Sequence, residues 1–136
     1  IDFGNPCIAT GNYGKMNGGH RISVGSNRTT ALNLHNIFIQ SYQSNKFKGG
    51  DNIKYDIGLE KAFGIEYIDY IKGLHKHRKL GLSVLDLKEI NKKALIIIDE
   101  LEQKKELRTP IERIELRNKY NLELGIYEPE FCVFNL

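Results

Sequence analysis

The chain has 136 residues, 40% of them hydrophobic and 27% charged. That is the balance of one globular domain with a core of ordinary size, spanning residues 1–136, and not of a disordered tail. The formal charge of +3, with a pI of about 8.8, leans towards anionic partners but falls well short of a nucleic-acid coat protein. No apolar run approaches membrane-spanning length; the longest, Ala94–Ile98, is broken at once by Asp99 and Glu100.

The opening, Ile1-Asp2-Phe3-Gly4-Asn5-Pro6, has no signal peptide and no starting Met, as expected of a domain cut from a longer polypeptide. Gly4, Gly11, Gly14, Gly18 and Gly19 rule out a regular helix up to Gly19, and a short strand is predicted near Cys7–Thr10. The alternation in His20-Arg21-Ile22-Ser23-Val24 predicts a strand, and Gly25-Ser26-Asn27 a turn into a capped helix. That helix is expected over 29–43, with Leu32, Leu34, His35, Phe38, Ile39 and Tyr42 largely along one side. His35 lies beside the apolar stripe and is read as a packed core histidine.

Ser44 to Gly50 forms a basic loop in which Lys46 and Lys48 flank Phe47. Asp51 is placed to cap a second helical region running to Leu74, weakened by Gly58 and Gly64 with a break near Asp56. The densest positive run follows, His75-Lys76-His77-Arg78-Lys79. Ser83 then caps a helix reaching about Leu107, and its stripe of Leu87, Ile90, Ala94, Ile97, Ile98 and Leu101 marks it as the core helix. Thr109-Pro110-Ile111-Glu112 is a capping box with proline at the first helical position, opening a last helix to about Tyr120. The tail from Ile126 to Phe134 reads as an edge strand. The expected class is α+β: a helix-dominated domain of about four helices, with a small sheet built from the N- and C-terminal segments.

Cys7 and Cys132 lie near opposite ends of the sequence. A disulfide would close most of the chain, but two isolated thiols are the favoured reading. Neither cysteine has a partner at zinc-ligand spacing.

Chemistry concentrates in two His/Arg clusters. A strand-turn-helix at residues 20–30 offers backbone N–H groups to a phosphate, with Arg21, Arg28 and Thr29 beside it. His20 can transfer a proton there, and His75 or His77 with Arg78 can supply the second group if the two clusters converge. Arg28, Thr29, Lys46, Phe47, Lys48 and Lys79 are the candidate nucleic-acid contacts, the aromatic stacking on a base. This set points to metal-independent ribonuclease chemistry with no cofactor. Glu102-Gln103-Lys104, with Asp86 and Asp99, spells the E-x-K of metal-dependent DNases, but it sits in a helical pattern where that chemistry expects a strand.

In its size, its internal start at Asn5-Pro6, its Lys-, Asn- and Ile-rich composition and its Gly18-Gly19-His20-Arg21 element, the chain resembles the C-terminal toxin domains of bacterial polymorphic toxins. These include the toxins of contact-dependent growth inhibition. The resemblance implies surface delivery as part of a larger protein, action on RNA, and on tRNA first, in a target-cell cytoplasm, and neutralisation by a cognate immunity protein. Some tRNA-cleaving members work with elongation factor Tu, which the resemblance adds as a partner. A metal-dependent DNase and a non-enzymatic protein-binding module docking through Lys46-Phe47-Lys48 are the alternatives.

Overall fold

The computed structural model describes residues 1–47, 51–77 and 80–136. Its class is α+β, with 56% helix, four helices of seven residues or more, and a two-stranded antiparallel sheet. The strands are β1 (Met16–His20) and β2 (Ile37–Ser41), paired from Met16 opposite Ser41 to His20 opposite Ile37. The sheet therefore joins an N-terminal strand to a central one, and the C-terminal segment takes no part.

No helix forms over 29–43. The chain makes single 3-10 turns at Arg28–Thr30 and Leu34–Asn36 and then enters β2. Asn27 and Asn33 drive this, because their side chains accept main-chain N–H groups two and three residues on and so compete with helical bonds. Asn36, wholly buried, replaces a strand partner for the preceding loop: Arg21 N–H donates to its main-chain oxygen and Ile22 N–H to its Oδ1. Its Nδ2 donates to Ile22 O and Thr30 O. The expected strand at 20–24 is thus shifted to 16–20, and Ser23–Asn27 is a turn. No strand forms at Cys7–Thr10, where the chain turns back on itself through Gly11 N–H to Cys7 O.

A short helix, α1 (Tyr42–Lys46), leads to α2 (Asn52–Phe63) and α3 (Ile65–Gly73). The break falls at Gly64 (φ 89°) and not near Asp56. Asp51 precedes α2 in a left-handed conformation and makes no capping bond; its carboxylate instead pairs with Lys54 at 3.8 Å. α4 (Val84–Gln103) starts on a capping box of Ser83 and Asp86, and α5 (Pro110–Leu124) on one of Thr109 and Glu112, as the sequence predicts. The tail folds into a short helix, α6 (Pro129–Cys132), where a strand is expected, because Pro129 suits the first turn of a helix.

Two apolar clusters hold these elements. Phe38 of β2 packs with Tyr55, Leu59, Tyr67, Ile68 and Ile71 of α2 and α3 and with Ile114 of α5. Ile97 of α4 packs with Tyr120, Leu124, Ile126, Tyr127 and Cys132. The predicted stripe of α4 packs in part: Ile97 is buried and Ile90, Ala94 and Leu101 lie partly buried against the second cluster, whereas Leu87 and Ile98 are exposed. Both cysteines are buried free thiols in separate surroundings. No helix among the described residues is long and apolar enough to cross a membrane.

Gly58 marks a close approach. A Cβ added there would lie 1.6 Å from the main-chain oxygen of Ile8. In an unobstructed helix interior, Gly→Ala stabilises by about 1 kcal/mol. Here Gly58→Ala is expected to have the opposite sign, a loss of about 1–3 kcal/mol as the N-terminal segment is pushed off α2. Urea denaturation of the two proteins reads it.

Candidate functional site

At the end of β1 the hairpin presents a half-buried His20 whose ring Nε2–H donates to Ala31 O at 2.8 Å. That bond sets the ring orientation and, in the neutral ring, leaves Nδ1 with a free lone pair. The Ser23–Asn27 turn beside it reaches across to α3's end. Asn27 Nδ2 donates to His75 O at 3.1 Å, and the 3-10 turn at Arg28–Thr30 contacts the one at Leu74–Lys76. The two His/Arg clusters therefore meet through Asn27. His75 is exposed, and its Nδ1–H donates to Lys72 O, which leaves Nε2 free. Each of these histidines has one nitrogen held by a main-chain carbonyl and the other available for proton transfer.

The other candidates are distributed unevenly. Arg28 is exposed on the 3-10 turn that contacts Leu74–Lys76. Thr29 is tied down, its N–H donating to Asn27 Oδ1 and its carbonyl accepting from Tyr127 OH at 2.6 Å. Asn27 Oδ1 also takes Thr30 N–H, so the first N–H groups of this turn are satisfied within the protein and do not form the phosphate cradle expected of a helix start. Arg21 faces Asp56 in a two-pronged ion pair, with Arg21 Nη2 2.9 Å from Asp56 Oδ2 and Lys72 Nζ at 3.4 Å. Burial pushes the Asp56 carboxyl up, but its bond and charge contact with Arg21, helped by Lys72, hold it below its ordinary range. Lys46 and Phe47 lie at the opposite end of the hairpin, at the end of α1. Lys48, Arg78 and Lys79 lie outside the described residues.

His77 is buried, with its ring centroid 4.0 Å from that of Phe131 and 5.7 Å from that of Tyr127. Its Nδ1 has no hydrogen-bond partner among the described residues, and burial pushes its pKa down to about 4. It is a neutral packing group at pH 7. His35 is packed in the core, as expected. Its Nε2–H donates to Asn118 Oδ1 at 2.9 Å and its Nδ1 accepts from Tyr67 OH at 2.6 Å. Burial, with the Arg117 charge adding to it, pushes His35 down to about 3.

These two histidines make the fold acid-sensitive. Each stays neutral in the folded chain below the pH, about 6.5, at which it charges when unfolded. The unfolded chain therefore binds more protons as pH falls from about 6.5 towards 4, and stability is lost at up to about 1.4 kcal/mol per pH unit for each histidine. Thermal melts at pH 7, 6, 5 and 4 should show that slope, and it should be shallower in His77→Phe.

Asn36, Asn27 and Tyr127 are the residues of this corner that pattern reading misses. All three act through bonds to groups far along the chain. Among the described residues, no group of three or more His, Cys, Asp or Glu is placed to hold a metal ion. The carboxylates of the E-x-K alternative are spread along α4, with Asp86 and Glu102 separated by about 24 Å at the helical rise per residue.

The family model for the bacteriophage Lambda NinG protein matches residues 1–106, a stretch that contains His20, Asn27, Arg28 and His75. No curated protein and no solved structure matches the chain.

Proposed function

The chain belongs to the bacteriophage Lambda NinG family, and from that premise and the geometry of the His20 corner we propose that it cleaves phosphodiester bonds in nucleic acid. The observation that carries the reading is the contact of the turn at Asn27 with the main chain of His75, with the His20 and His75 rings each held by a main-chain carbonyl at one nitrogen. In RNA, one histidine takes the proton of the 2′-hydroxyl as O2′ attacks phosphorus. The other protonates the departing O5′ as the P–O5′ bond breaks. Arg28, exposed on the 3-10 turn that contacts Leu74–Lys76, neutralises the phosphate oxygens. Arg21 and His77 take no part, the first being paired with Asp56 and the second packed on Phe131. The tRNA substrate, the immunity protein and elongation factor Tu belong to the toxin-domain resemblance, and the proposed chemistry does without them.

A second reading, cleavage of DNA, is favoured by the family, since NinG is a phage lambda recombination protein. One experiment separates the two. The protein is incubated with bacterial RNA and with plasmid DNA in EDTA, then with magnesium or zinc. Discrete RNA fragments in EDTA are the expected result. Loss of DNA that requires metal would transfer the proposal to DNA, and intact RNA and DNA under every condition would overturn it.

A further inference from the structure

α4 carries a second apolar row beside the stripe that packs on the second cluster. Val84, Leu87, Leu95 and Ile98 recur at helical spacing, with Asn91 in the turn between Leu87 and Leu95, and they are 70%, 46%, 58% and 54% exposed. Single exposed apolar side chains are ordinary. A row of four along about 21 Å of one helix marks a surface that another surface is to cover.

The charges on either side of Leu95 have opposite sign. Before it stand Lys88, Lys92 and Lys93, and after it Asp99, Glu100 and Glu102, all of them exposed. The two acids of the first half are engaged, Asp86 in the capping box with Ser83 and Glu89 with Lys92 at 3.1 Å. In the second half Glu102 lies 2.9 Å from Lys105, and Asp99 accepts from Gln103 Nε2 at 2.9 Å. Exposed bonds of this kind between near neighbours are worth little and are readily exchanged.

The spacing makes the pattern self-complementary. Lys88 precedes Leu95 by seven residues and Glu102 follows it by seven; Asn91 precedes it by four and Asp99 follows it by four. These five positions fall within about 80° of one another round the helix. Two antiparallel copies of α4 crossing at Leu95 therefore set Leu95 against Leu95, the Lys88 ammonium against the Glu102 carboxylate, and the Asn91 amide N–H against the Asp99 carboxylate. Each polar pair occurs twice about the two-fold axis. A parallel pair would set Lys88 on Lys88 and Glu102 on Glu102.

We propose that two copies of this chain associate through α4, antiparallel and two-fold symmetric about Leu95, covering Leu87, Leu95 and Ile98 and pairing Lys88 with Glu102 of the other copy. A different protein would have to repeat this order of charges, whereas a second copy carries it by symmetry. Asp99 and Glu102 on the same face repel nucleic acid. Asn91, a polar residue in the middle of the apolar row, fixes the register, as such residues do in helix seams. The pairing stands apart from the proposed cleavage, which uses no residue of α4.

Sedimentation equilibrium of the full chain, from about 1 µM to about 200 µM, covers the affinities expected of so small an interface. The mass should rise from 15.6 kDa towards twice that value. Leu95→Glu, which puts two carboxylates on the axis, should stay monomeric throughout. Lys88→Glu and Glu102→Lys should each weaken association about 10-fold or more, because each turns two attractions into two repulsions. An equimolar mixture of these two variants restores opposite charges at both places, and its association should return to within about threefold of wild type. The altered side chains are all exposed, so the fold is expected to stand, which circular dichroism checks. A monomer at every concentration would overturn the pairing. So would a dimer that Leu95→Glu leaves intact, or a mixture of the charge variants that associates no more tightly than either variant alone.

Discussion

Arg117→Ala is expected to destabilise the protein by about 3–5 kcal/mol, the usual result of removing one partner from a buried ion pair. Arg117 is among the most buried side chains of the molecule, and every prong of its guanidinium is used. Nη2 donates to Asp2 Oδ2 at 2.7 Å and to Ile37 O at 2.9 Å, Nε to Leu34 O at 3.1 Å, and Nη1 to Arg113 O at 3.2 Å. Its plane also lies 4.0 Å from the Phe38 ring centroid. Alanine would leave the Asp2 carboxylate with Arg113 and the Ile39 N–H and strip a donor from two main-chain carbonyls where the chain enters β2. Burial pushes the Asp2 carboxyl up, yet the Arg117 and Arg113 guanidiniums hold it well below the ordinary carboxylate range. Asp2 therefore contributes stability above its unfolded pKa that is lost as pH falls towards the folded one. Arg117→Lys keeps the charge but not the planar fork, so it should recover only part of the loss. Urea denaturation of the single variants and of the Asp2→Asn double variant measures the coupling. A loss below about 1 kcal/mol for Arg117→Ala would show that the cluster adds little to its hydrophobic surroundings.

His20→Ala and His75→Ala are each expected to slow cleavage by about 100-fold or more, the lower end of what a positioned acid or base supplies. Neither ring is part of a core cluster, so melting temperatures should move little. The pH dependence discriminates further. An acid–base pair gives a bell, and losing one partner should remove one limb and leave the other. His77→Ala should behave in the opposite way, losing stability through the contact with Phe131 while the folded fraction keeps its rate. Rates within about threefold of wild type in both His20→Ala and His75→Ala, with folding intact, would end the assignment of these histidines.

What the sequence made visible was what local chemistry decides. The starts of α4 and α5 follow from Ser83 with Asp86 and Thr109 with Glu112, because a capping box closes within four residues. Residues 29–43 carry apolar spacing that suits a helix, yet they form turns and a strand. Their polar side chains are satisfied from outside the stretch: Asn33 by Phe131 O and Asn121, His35 by Tyr67 and Asn118, Asn36 by Ile22. No window of local pattern contains those partners. The α4 stripe shows which face is apolar, and Ile90, Ala94, Ile97 and Leu101 do pack, but it does not show that Leu87 and Ile98 stay in solvent, since periodicity carries no information about what covers a face. Residue type names His20, Arg21, Arg28, His75 and His77 alike, whereas only the fold shows that Arg21 is held by Asp56 and His77 against Phe131. The toxin-domain resemblance rests on size, composition, the start at Asn5-Pro6 and the Gly18-Gly19-His20-Arg21 element, which assign no residue to a role. The family match covers a defined stretch of chain.

That stretch ends at residue 106, whereas the two arginines that clamp Asp2 stand at 113 and 117, on α5. The contacts link positions 111 and 115 residues apart, among the longest closures the chain can make. Loops of that length close late and at an entropic cost, so the ion pairs of Asp2 with Arg113 and Arg117 are expected to form only once α5 is in place, whereas the contacts of the same segment with β2 and α2 can form before it. A chain terminated after residue 106 would retain everything that marks the family and lose the latch on its own beginning. The stretch shared with NinG therefore stops short of the residues that hold Asp2, and truncation at its end is expected to cost both ion pairs.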